Sequence, residues 1–126
     1  MPTYSENGKN SYTAAVTVAK GDILKFTTAD AKGLPSVTPT TASTDAAVAI
    51  ALTDANQGEK VAVKVLGTGG TTLAKAGGAL TAGATLGAGG ATAAAGDTAI
   101  GVALNAAASG DLVEVATVMP VVVPAS

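Results

Sequence analysis

The residues able to do chemistry are few. The chain has 126 residues, with nine acids and seven lysines, and it lacks His, Cys, Arg and Trp. Paired carboxylates can carry general acid–base work or hold Ca²⁺, and the candidates are Asp22, Asp54, Glu59, Asp97 and Asp111. Four of these follow a glycine directly: Gly21-Asp22, Gly58-Glu59, Gly96-Asp97 and Gly110-Asp111. An acid beside glycine is ordinary turn chemistry, in which the carboxylate bonds nearby backbone. No D-x-D-x-D-G spacing for calcium is present. A serine nucleophile needs a base. Without His only a Ser–Lys pair remains, and the serines, in turns or tails, form no S-x-x-K motif. G-T-G-G at residues 67–70 is a fragment of a phosphate-cradling loop without its G-K-[ST] ending or its helix. No catalytic, cofactor-binding or metal-ligating residue is assigned, and the chain is expected not to be an enzyme.

The elements that hold these residues are read from hydropathy. A-V-A-I-A-L-T-D-A-N-Q-G-E-K-V-A-V-K-V at residues 47–65 is followed, 52 positions on, by A-I-G-V-A-L-N-A-A-A-S-G-D-L-V-E-V-A-T at 99–117. In each copy apolar residues alternate on both sides of a short polar link, a hairpin signal. Gly58 and Gly110 occupy the same place in the two links, where a positive φ is expected. Val16 and Val18, then Ile23, Leu24 and Phe26 after K-G-D, read as two further short strands. Residues 29–45, with Gly33, Pro35 and Pro39, read as loop or edge strand. Short strands are expected near Leu73 and between Leu80 and Leu86, because glycines break every candidate helix between residues 77 and 101. About eight to ten strands and no helix predict an all-β fold, a small β-barrel or jelly-roll-like sandwich of short antiparallel strands. The expected organisation is an extended N-terminal arm (1–13), a single β domain (14–119) and an extended C-terminal tail (120–126).

Composition narrows the classes further. The net charge is −2 and seven scattered lysines form no phosphate-neutralising patch, so nucleic-acid binding is not expected. No stretch is apolar for the ~18 residues a spanning helix needs, and the first ten residues lack a basic–apolar leader. A soluble protein made in the cytoplasm is expected. Tyr4, Tyr12 and Phe26 are the only aromatics. A large aromatic buries about 150–250 Å² and alanine far less, so the core is expected to be thin and stability to lean on association with other chains.

The ordered set of strand and turn blocks resembles the capsid decoration, or cement, proteins of tailed bacteriophages. The resemblance rests on V-A-K-G-D at 18–22, V-A-I-A-L-T-D-A-N-Q-G-E-K-V-A-V-K-V-L-G at 48–67, L-T-A-G-A-T-L at 80–86 and I-G-V-A-L-N-A-A-A-S-G-D-L-V-E-V at 100–115. It covers about four-fifths of the chain, and residues 87–95 depart from it in being richer in Ala and Gly. It implies a virion structural protein, made in the host cytoplasm. Such a protein binds the outer surface of the phage head across junctions of the major capsid protein and stabilises the shell without catalysis. It also implies a homotrimer or homodimer at a symmetry axis, with no nucleic acid, membrane or cofactor as partner.

On this reading the capsid or oligomer contacts fall to Pro2, Thr3, Tyr4 and Tyr12 of the arm and to Val121, Val122 and Val123 of the tail, since tyrosines favour interfaces. Two alternatives come from other classes. One is a phage fibre or adhesin-type binding domain, which the scarcity of aromatic platforms for sugar disfavours. The other is a lipoyl-like carrier displaying Lys32 in A-D-A-K-G, which Gly33 and Pro35 disfavour.

Overall fold

In the computed structural model the described residues are 9–27, 36–67 and 70–123. They form nine strands: β1 (Lys9–Ala14), β2 (Ile23–Thr27), β3 (Ser36–Pro39), β4 (Ala47–Ala51), β5 (Lys60–Val65), β6 (Thr71–Lys75), β7 (Thr85–Gly87), β8 (Thr98–Ala103) and β9 (Leu112–Val122). The all-β expectation holds. Strands β1, β3, β2, β4 and β5 close a barrel, and β6, β9, β8 and β7 form a four-stranded sheet in that order. The boundary expected after residue 13 runs through β1, which pairs along its length with β5. The one expected before residue 120 runs through β9. Val16 is not in a strand. Val18 instead exchanges backbone hydrogen bonds with Ala55 at 2.8 and 2.9 Å, an isolated bridge across the link of the first repeat.

The repeated phrase is part of a larger repetition. Ala49 opposite Val65 and Ala51 opposite Val63 recur as Gly101 opposite Thr117 and Ala103 opposite Val115. The strands before it recur at an offset of 62. Tyr12 opposite Val61 becomes Ala74 opposite Val113, and Leu24 opposite Ala49 becomes Leu86 opposite Gly101. The bulge between Leu24 and Lys25 returns between Leu86 and Gly87, and the Val18–Ala55 bridge returns as Leu80–Ala107. Both link glycines turn in the left-handed region, at φ 86° and 90°, where a side chain meets steric cost. Each half of the chain therefore builds the same four strands with the same register.

The halves differ where the offset drops from 62 to 52. In the first half β3 lies antiparallel to β2 and parallel to β1, with Thr13 opposite Ser36, and so closes the barrel. In the second half the corresponding chain is shorter and leaves only a Leu86–Thr92 bridge. That sheet stays open and curled. Its inner face holds Ala74 where the barrel holds Tyr12, and Gly101 where the barrel holds Ala49. A Cβ on Gly101 would stand 2.5 Å from Val115 Cγ1 and 2.6 Å from the Ala116 carbonyl oxygen, so only glycine admits the β8–β9 approach. The space is filled from outside: Ile23, Ala47, Ile50 and Leu66 of the barrel wall share one buried cluster with Leu80, Leu86, Ile100, Val113 and Val115. The barrel interior is a separate cluster of Tyr12, Val18, Leu24, Val37, Val61 and Val63 among alanines. Hydrogen bonds fix the junction. Lys75 N–H donates to the Gly21 carbonyl at 2.8 Å, Thr98 N–H to the Ser43 carbonyl at 2.9 Å, and Thr40 Oγ1 to the Ala88 carbonyl at 2.7 Å.

Candidate interaction surface

Four of the five acids with chemical potential serve the backbone. The Asp22 carboxylate accepts from Ala19 N–H at 2.9 Å, Glu59 from Asn56 N–H at 2.7 Å and Asp97 from Ala94 N–H at 2.9 Å, each three residues upstream across its own turn. Asp54 accepts from Lys20 N–H at 2.7 Å and ties the first link to the K-G-D turn. Two carboxylates are shifted. Asp45 accepts from the N–H groups of Thr41 and Ala42 and pairs with Lys25 at 3.2 Å, which together lower its pKa from 3.8 to about 2. Asp97 is held below its ordinary value by Ala94 N–H and by the Ser43 hydroxyl, 2.7 Å away. Hydrogen bonds to the charged form have this effect. Asp97 thereby locks the first half's Ser43 to the second half. Among the described residues no three acids gather where a metal ion would sit.

Of the residues expected to make contacts, the described ones are Tyr12 in β1 and Val121, Val122 and Val123 at or just beyond the end of β9. Pro2, Thr3 and Tyr4 lie outside the described residues, as does Lys32. Tyr12 is 8% exposed in the barrel and packs edge-to-face on Phe26, with ring centroids 5.3 Å apart and planes at 78°. Val121 and Val122 end β9 on the other sheet and are 58% and 61% exposed. Val123 is half-buried, and its backbone is tied to Asp97 and Gly96 by hydrogen bonds of 2.8 and 2.9 Å. Thr98 faces Val122 and Ala99 faces Val121, so these two residues of the expected tail belong to a paired strand and are two exposed valines.

A further apolar surface was not anticipated from the sequence. Leu73, Leu104, Leu112 and Val118 are each about two-fifths exposed or more, and all belong to the second half. They lie on the outer side of the curled sheet, opposite its core-facing Ala74, Val113 and Val115. The repeat itself carries the signal. Where the first half has Ser11, Lys60 and Lys64, the second has Leu73, Leu112 and Ala116 at the same register positions. Alternation alone does not reveal this, because each of these strands buries its other face as expected.

No family model and no curated protein matches the chain in sequence. Among solved structures the chain is similar to the head fiber gp8.5 N base of bacteriophage phi29, with a TM-score of 0.67 and 18% identity over 89% of this chain and 94% of that one. At that identity the likeness is one of fold, and it extends over both halves of the repeat.

Proposed function

We propose that this chain is a structural protein of a tailed-phage virion that sits on the outer surface of the head. There it acts as a decoration protein, bridging junctions of the major capsid protein and holding the shell against the pressure of packaged DNA. The supporting observation is that its fold matches the base of a phage head fiber over almost the whole of both chains. The strand and turn blocks that resemble cement proteins point the same way. Many weak contacts repeated on a symmetric lattice give large avidity, which suits a small domain whose polar side chains are spent on turns rather than on a site. The capsid contact is assigned to the residues before β1 (Pro2, Thr3 and Tyr4) and to Val121 and Val122. Because β1 begins at Lys9, the informative deletion is residues 2–8, which leaves the barrel strand intact. Heads incubated with the full chain should survive heating that ruptures bare heads, and the truncated chain should bind them more weakly. Equal protection by both would remove the arm from the contact, and no protection by the full chain would contradict the decoration role.

A second reading has one observation in its favour: the similar solved structure is itself the base of a head fiber. In that role the chain seats a projecting fibre and is present at few positions on the head. Copy number separates the two readings.

A further inference from the structure

We propose that the outer face of the second sheet is where one copy of this chain packs on another. The chain already shows what this face is for. On the first half's wall, Ile50 and Leu66 are 0% and 6% exposed because the second half covers them. Their register equivalents on the second half are Val102 and Val118, half-buried and 41% exposed in the single chain. A face that keeps apolar residues at the covered positions, and gains Leu73 where the first half has Ser11, is built to be covered.

The rows of side chains make one patch. Leu73 lies opposite Glu114, and Leu104 N–H, just past the end of β8, donates to the Glu114 carbonyl at 2.8 Å, so the two leucines flank Glu114. Val102 and Ala116 pair in the next row, with Val118 beyond them. The charges on this face match it to itself. Glu114 stands in the middle, accepting from Thr71 Oγ1 at 3.3 Å, and Lys75 is exposed two residues along β6 from Leu73. When the face of one copy meets that of a neighbour, in a pair or a closed ring, Lys75 of one copy reaches Glu114 of the next. Opposite charges at an apolar contact fix its register. This self-complementarity favours a second copy over the capsid protein as the occupant.

The inference deepens the reading of a repeated virion component, and its test fails separately from the head-binding test. Sedimentation of the purified chain should show a closed oligomer. Leu104→Glu, at an exposed position, should shift dissociation to at least tenfold higher concentration while the circular dichroism spectrum is kept. Lys75→Glu and Glu114→Lys should each weaken association, and the double variant should recover it. A chain that stays monomeric at every concentration, or an oligomer indifferent to Leu104→Glu, overturns the proposal. Failure of the double variant to recover overturns the Lys75–Glu114 pairing. A monomer that still binds heads overturns this inference alone.

Discussion

Ile50→Ala tests whether the two halves are one cooperative unit. Ile50 sits on the barrel wall, fully buried, with its side chain in the core of the second half. The substitution removes three carbons, worth roughly 0.8 kcal/mol each on transfer. The cavity left behind adds to this and places the loss within the range of about 2–5 kcal/mol seen for such truncations. The curled sheet offers little bulk of its own there, since Ala74 and Gly101 stand where the barrel has Tyr12 and Ala49, and Ile50 fills the space with Ile23 and Leu66, so we expect about 3 kcal/mol. With an unfolding entropy of roughly 2.1 cal/mol/K per residue, that lowers the melting temperature of a chain this long by about 11 °C. The assay is chemical denaturation followed by two probes. Both tyrosines lie in the first half, so their fluorescence reports on that half, while far-ultraviolet circular dichroism reports on all strands. The two transitions should coincide in the parent and in the variant. A loss below about 1 kcal/mol, typical of surface changes, or separation of the two transitions would refute the shared core.

Two further outcomes follow from particular groups. The Thr117 hydroxyl is buried and finds no hydrogen-bond partner among the described residues, and its register equivalent in the first half is Val65. Thr117→Val should therefore stabilise the chain by about 1 kcal/mol in the same denaturation assay, because an unmet buried polar group carries a desolvation cost. Asp45 titrates at about 2 in the folded chain and near its ordinary value when unfolded, so its contribution is complete above about pH 4 and is lost as the pH falls toward 2. Asp97 is shifted in the same direction. Thermal melts should decline through that window and decline less in Asp45→Asn, whereas a flat profile would contradict the bonding described for these carboxylates.

The repeat was legible as two hairpins because residues 47–65 and 99–117 share both their alternation and their link glycine. The register of those strands followed. The strands that complete each half were harder to see. K-N-S-Y-T in β1 and T-T-L-A-K in β6 share no residue at equivalent positions, and what relates them is their pairing with β5 and β9. Polar β1 read as an arm because a strand closing a small barrel needs only one apolar face, which here is Tyr12 and Ala14. Val16 and Val18 suggested a strand by spacing, but the chain bends after Ala14 and only Val18 reaches a partner. The exposed leucines were hidden for a different reason. They occupy the solvent side of correctly predicted strands, and only the comparison of Lys60 with Leu112 and of Ser11 with Leu73 marks that side as altered.

A component of the phage head surface is present in purified virions and reachable from outside them. The most direct measurement is the ratio of this chain to the shell protein in purified virions, by quantitative mass spectrometry, combined with labelling of intact particles by a reagent that cannot enter them. The expected result is a ratio near stoichiometric with the shell subunits and full labelling of the exposed Lys20. A chain present at a few copies would support the fibre-base reading instead, and a chain absent from particles or shielded inside them would contradict the head-surface role.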